Sequence, residues 1–252
     1  MRTLENLQKS QVDGQIRKLE TRLARERDEL PPAVLHAYVQ SARSRFDGAP
    51  VQVFVPILVE RAVRAQLGSH RRPSLPIRAW QTAQRLLPVE LPRRWAHTKG
   101  VARRAVEVGR TLHPEDRDVL VAAAWLHDIG YATPLVKTGM HQLDGARFLA
   151  GQGFSPRVCA LVAHHAGAAA VAELRGMSAE LAEFPDEHTP VRDALWYCDS
   201  TTSPDGEPVS YSDRVAEIRA RRGPADPVVR ALAINGPERA AAVRRTEALL
   251  RP

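Results

Sequence analysis

The chain has 252 residues, of which 44% are hydrophobic and 26% charged, enough to bury a core and typical of globular proteins rather than of disordered chains or coiled-coil rods. Its formal net charge of +7 is uneven: residues 1–95 hold 17 Lys/Arg against 9 Asp/Glu, and residues 96–252 hold 19 against 20. The surplus is scattered along helical patterns without interleaved aromatics, so it reads as a solvated face and not as a nucleic-acid surface. No leading apolar segment has signal-peptide length and no uncharged stretch would span a membrane, so a cytoplasmic protein without a membrane partner is expected. Cys159 and Cys198 are far apart and lack a partner motif, which points to buried free thiols.

In chain order, Val12, Ile16, Leu19 and Leu23 step by four, three and four, the spacing of an amphipathic helix. Pro31 and Pro32 break that pattern and suit the start of a second helix. Its apolar face would be Val34, Leu35, Tyr38, Val39, Ala42 and Phe46, with Asp47-Gly48-Ala49-Pro50 as its stop. A third run from Val53 to Leu67 has Pro56 in its first turn and puts Phe54, Ile57, Leu58, Ala62 and Leu67 towards one side. Three short helices with one stripe each bury little alone, so residues 1–67 are expected to pack as a three-helix bundle, against the rest of the chain or against a second copy.

Residues 68–76, Gly68-Ser-His-Arg-Arg-Pro-Ser-Leu-Pro76, have the composition of a linker. Residues 77–252 then form the larger domain, with helical runs around 77–87, 95–112, 116–128, 141–150 and 156–165 and others near 191–200, 211–222 and 226–250. Alternation of the strand type is nearly absent, so the expected fold class is all-α.

His97, His127, His141, His164 and His165 fall within 69 residues, accompanied by Asp128 and Asp199. A lone histidine on an amphipathic helix is more often a surface or satisfied core residue than a ligand. Here each residue lies at or near a predicted helix end, where side chains from several elements converge, and imidazoles and carboxylates are what borderline and hard divalent metals accept. His127 and Asp128 close the apolar run Val121-Ala-Ala-Ala-Trp-Leu126, so two polar groups arrive at the rim of a core, a costly arrangement unless a partner such as a cation satisfies them.

The ordered series resembles the HD superfamily of metal-dependent phosphohydrolases over roughly residues 78–235. The residues that carry it are His97 in Trp95-Ala-His-Thr98, the doublet in Leu126-His-Asp-Ile-Gly130, His141 in Met140-His-Gln-Leu-Asp-Gly-Ala-Arg147, His164 in Leu161-Val-Ala-His-His165, and Asp199 in Ala194-Leu-Trp-Tyr-Cys-Asp199. The resemblance implies an HD-like helical bundle and two divalent metal ions, of iron, manganese, magnesium or a similar metal. His97, His127, Asp128 and Asp199 would hold one, with Asp128 bridging to a second on His141 and His164. His165 is expected in a second shell or in solvent, because neighbouring helical residues point about 100° apart.

The implied activity is hydrolysis of a phosphate ester or phosphodiester, as of a nucleotide or other phosphorylated small molecule, by metal-activated water at Asp128. Among nearby cations, Lys99, Arg103, Lys137 and Arg147, Lys137 is the first choice as catalytic phosphate contact, because it lies in the loop between two ligand-bearing segments. Tyr131 replaces the lysine that follows the doublet in cyclic-dinucleotide phosphodiesterases, Gly-Tyr-Pro is missing before His141, and Ala132-Thr133-Pro134 stands in the region of the alarmone hydrolases' Glu-Asp pair; these departures argue against both substrates. Arg93 stands where trinuclear members carry glutamate, which argues against a third metal. Two alternatives remain: a di-iron oxygenase on the same fold, and a non-catalytic metal or nucleotide sensor. Phe54-Val-Pro-Ile-Leu-Val-Glu-Arg61 is similar to a three-helix module of actinobacterial proteins described as a dimerisation domain, which implies a homodimer.

Overall fold

A computed structural model describes residues 2–27, 30–46, 54–68 and 74–251. Among them the regular structure is helical, with one isolated bridge between Thr202 and Pro208 as the sole strand-like pairing. The chain divides into two units, Met1–Ile77 and Arg78–Pro252.

In the first unit α1 (Arg2–Glu26), α2 (Pro32–Ser44) and α3 (Val55–Gly68) pack pairwise. Val12, Ile16, Leu19 and Leu23 of α1 are buried, as are Val34, Leu35, Tyr38, Val39 and Ala42 of α2. The third helix corrects the reading of its face. Val55, Val59 and Val63 are buried while Phe54, Ile57 and Leu58 are exposed. Both sets fit a helical period in a segment this apolar, so side-chain size misled where only partners could decide. The expected stop Asp47–Pro50, and residues 69–73 of the expected linker, lie outside the described residues.

After α4 (Leu75–Leu86), the second unit contains α5 (Pro92–Val108), α6 (Pro114–Leu126), α7 (His141–Gly151), α8 (Pro156–His164), α9 (Ala168–Leu174), α10 (Ser178–Leu181), α11 (Pro190–Ser200), α12 (Tyr211–Arg222) and α13 (Pro227–Leu250). α5, α6, α8, α11 and α13 carry proline in their first turn, where its fixed φ is preorganised and its missing N–H costs nothing. Ser155, Thr189, Ser210 and Asp226 accept from the N–H groups of Val158, Arg192, Asp213 and Val228, each cap contributing about 1 kcal/mol. α9 and α10, of seven and four residues, are too short to leave a periodic signal.

α6 is buried on every side from Leu120 to Leu126, as a central helix must be to have apolar residues all round. α5, α8 and α11 surround it, and Trp125 packs on Trp95 of α5 with ring centroids 5.5 Å apart. Its C-terminal end therefore opens into the core, which is where His127 and Asp128 stand.

Candidate metal centre

Five segments deliver the polar cluster: α5 brings His97, the end of α6 His127 and Asp128, the start of α7 His141, the turn after α8 His165, and the end of α11 Asp199. The donor atoms form two groups, His97 with His127 and Asp199, and Asp128 with His141 and His165, and within each group they lie within 4.8 Å of one another. Asp128 joins the two. Its Oδ2 is 3.2 Å from His127 Nε2 and 3.9 Å from His97 Nε2, while its Oδ1 is 3.4 Å from His141 Nε2 and 3.7 Å from His165 Nε2.

Backbone carbonyls set the imidazoles. Nδ1 of His97 lies 2.9 Å from Ser203 O, Nδ1 of His127 2.8 Å from Ala124 O, and Nδ1 of His165 2.7 Å from Val162 O. A carbonyl can only accept, so each Nδ1 carries the proton and each Nε2 is left to present a lone pair to the cluster. His97 Nε2 is 3.0 Å from Asp199 Oδ1, and the Nε2 atoms of His141 and His165 are 3.1 Å apart. Two such nitrogens lie this close only with a proton or a cation between them.

The donor set fits a divalent cation on an observation independent of any family. His127 Nε2 is fully buried without a hydrogen-bond partner, Asp128 Oδ2 being near but off the line of a hydrogen bond. A buried orphan nitrogen, aimed at two buried carboxylates, is what a cation would satisfy.

The electrostatics agree. Burial works against ionised Asp128, but the guanidinium of Arg94 and His127 outweigh it and hold its pKa well below the usual range. Asp199 is lowered likewise, against burial, by His97 and His127. The same carboxylates outweigh burial at His127 and raise its pKa. Burial dominates at His141, lowering it to about 4, so its imidazole is neutral at neutral pH, as a ligand must be.

His164, expected as a ligand, is not brought to the cluster. Its Nε2 donates to Phe184 O at 2.6 Å, and its carbonyl accepts from Trp196 Nε1 at 2.9 Å. His165 takes the place beside His141 because α8 ends at His164: the chain turns out of the helix, His165 having φ −61° and ψ 154° and Ala166 a positive φ of 54°. The 100° argument assumed a helix that continues.

Lys137 also lies apart. It is exposed and does not line the cleft beside the cluster; its N–H donates to Asp144 Oδ2 at 3.1 Å. Asp144 also accepts from the N–H groups of Thr138 and Gly139, pinning the loop that leads into His141. Arg94, which the sequence reading passed over, is the cation at the cluster, with Nη1 2.8 Å from Asp128 Oδ2. Tyr131 lies between Arg94 and His141, its ring centroid 4.1 Å from the guanidinium and 3.9 Å from the stacked imidazole. Two groups that close to one ring occupy opposite faces, so Tyr131 orients both.

Glycines permit the close approaches. A Cβ on Gly130 would lie 1.9 Å from His141 O, and one on Gly100 would lie 2.4 Å from Gly206 O. The second contact seats the 201–209 loop on α5, where Ser203 reaches His97 and Arg103 Nη2 donates to Gly206 O at 2.7 Å.

The cluster opens into a narrow cleft with a cavity volume of about 70 Å³, lined by Arg94, Asp128, Tyr131, His141, His165 and Asp199 together with residues of α12 and α13. No curated protein and no solved structure matches the chain. A family model described as the HD domain matches residues 94–197, a span that reaches from Arg94 through His165 and stops two residues short of Asp199. With the helical bundle and the paired His/Asp groups, that match supports placing this part of the chain in the HD-domain superfamily.

Proposed function

We propose that the protein is a metal-dependent phosphohydrolase that cleaves a phosphate ester or phosphodiester of a small molecule such as a nucleotide. The observation that carries the reading is Asp128, whose two carboxylate oxygens face two separate groups of nitrogen and oxygen donors.

His97, His127 and Asp199 would hold one divalent cation and His141 and His165 a second, with Asp128 shared. Cations so held supply Lewis acidity to phosphoryl oxygens and lower the pKa of water. The carbonyls of Ser203, Ala124 and Val162 keep the three Nε2 lone pairs turned inward, so little reorganisation is needed on loading. Arg94 stays charged, because Asp128 and Tyr131 beside it more than offset its burial and raise its pKa. One arm of its guanidinium is spent on Asp128, and the remaining donors line the cleft and suit phosphoryl oxygens. Tyr131, held between Arg94 and His141, keeps that guanidinium over the cluster and is not free to stack on a base.

The test is metal analysis of the protein as isolated, followed by phosphate release from a panel of phosphate esters, with Asp128→Ala as control. Bound transition metal or metal-stimulated release that Asp128→Ala abolishes is the expected result. Dioxygen uptake without phosphate release would overturn the hydrolase in favour of an oxygenase.

A further inference from the structure

The cleft holds more cationic side chains than one phosphoryl group uses. Beyond Arg94 its lining includes Arg214, Arg221 and Arg222 of α12 and Arg239 of α13, all outside residues 94–197. Glu217 pairs with Arg214 and, at 2.6 Å, with Arg221, and Asp226 pairs with Arg222 at 3.1 Å. Two carboxylates thus answer three guanidinia.

Arg239 has no carboxylate partner among the described residues. Its Nη2 donates to Ser200 Oγ at 3.1 Å, its Nε is buried with no acceptor, and the residue is 4% exposed. An arginine does not shed its proton in a protein, and a buried charge without a counter-ion is strongly unfavourable. Burial accordingly pulls the pKa of Arg239 below the usual arginine value. Ser200 follows Asp199, so Arg239 stands beside the cluster and faces the same cleft. Asp128 is paired with Arg94, and Asp199, 3.0 Å from His97 Nε2, attracts Arg239 through its charge but makes no ion pair with it, so among the described residues no carboxylate touches the Arg239 guanidinium.

We infer that Arg239, backed by the arginines of α12, receives an anionic group of the substrate other than the one hydrolysed, so that the substrate is a small molecule with at least two phosphate groups. Which phosphate is cleaved rests on the phosphohydrolase reading; the anion site does not.

The experiment is a set of thermal melts of the full chain in excess EDTA, with inorganic phosphate, pyrophosphate or tripolyphosphate at matched ionic strength. Pyrophosphate and tripolyphosphate are expected to raise Tm by several degrees, with half-saturation about tenfold below that of phosphate. Arg239→Met is expected to weaken this by about tenfold and, without anion, to melt no lower than the parent, since an apolar side chain replaces an unpaired buried charge. Arg110→Gln, an exposed change away from the cleft lining, should leave half-saturation within about twofold and so controls for general attraction to a basic protein. If Arg239→Met does not fold, Arg222→Gln on α12 serves as the second variant and should weaken the polyphosphates by about threefold.

Equal half-saturation for phosphate and tripolyphosphate would overturn the second phosphate. Unchanged polyphosphate binding in Arg239→Met, or in Arg222→Gln where that variant replaces it, would overturn the site. An anion-free Tm several degrees lower in Arg239→Met, with polyphosphate half-saturation unchanged, would make Arg239 a structural brace and overturn the site. No metal is present in these melts, so a failure of metal-dependent hydrolysis is read separately.

Discussion

His164 and His165 are adjacent, and the structure gives them opposite tasks, so replacing each by alanine separates metal binding from stability. His165→Ala removes an Nε2 donor from the group with Asp128 and His141. Loss of a mere outer-shell partner costs about 10–100-fold in metal affinity, so loss of a donor should cost at least that, or about 1.4–2.7 kcal/mol of binding. His164→Ala removes no donor from either group but strands the Phe184 carbonyl, which now accepts at 2.6 Å. An unpaired buried acceptor costs about 1–3 kcal/mol, and because Phe184 is half-buried and water can reach it, about 1 kcal/mol is expected here, a fall in Tm of roughly 2–4 °C. The assay is calorimetric titration of manganese into chelator-treated protein, paired with melts of the same samples. His165→Ala should lose affinity, and His164→Ala should lose Tm while binding as the parent does. The opposite pattern, with metal affinity lost in His164→Ala and kept in His165→Ala, would refute the assignment.

Metal uptake should weaken as pH falls below neutrality, because the raised pKa of His127 makes the proton compete there first; calorimetry at pH 8 and about pH 6 would show it, and His141, at about 4, adds nothing in that window. Asp118 of α6 has no ionic or hydrogen-bond partner among the described residues, and burial pushes its pKa up to about 6, Arg117 opposing. The raised value means that stability is full below the unfolded carboxyl value near ~3.9 and is lost as pH rises through about 6. Asp118→Asn should therefore stabilise by about 1 kcal/mol at pH 7.5, after discounting for partial exposure, and not at pH 4; equal gains at both pH values would refute the cause. Gly100→Ala would put a Cβ 2.4 Å from Gly206 O, a backbone atom that cannot swing away, so a loss of about 2 kcal/mol or more in denaturant melts is expected, with weaker metal binding as the 201–209 loop leaves His97. The exposed Ile57 and Leu58 of α3 and Phe54 just before it are proposed to join two copies of the chain: light scattering should give a dimer and Ile57→Glu a monomer, and a monomeric parent would remove the proposal.

The all-α class and the larger helices were legible because their signals are local. Apolar periodicity marked the stripes of α1 and α2, and Pro31-Pro32 marked the start of α2. The residue types of the cluster were legible as well, since His97, His127, Asp128, His141 and Asp199 could be picked out as imidazoles and carboxylates of the kind that could hold a metal, and the structure gathers them. Only α3 was read on the wrong face, where both faces are apolar.

What remained depended on contacts between distant segments. Which of two adjacent histidines faces inward turned on the chain leaving α8 at His164, a change in backbone angles at His165 and Ala166 that residue identities alone do not reveal. Lys137 lay in the expected loop, but Asp144 ties that loop's backbone and the side chain stays in solvent. Arg94 and Arg239 are 145 positions apart in the chain and carry no motif. The sequence by itself determined helices and donor chemistry, because these depend on neighbours a few residues away. The pairing of donors around Asp128 and the charge of the cleft were decided only by tertiary packing, because they depend on where α5, α12 and α13 come to rest.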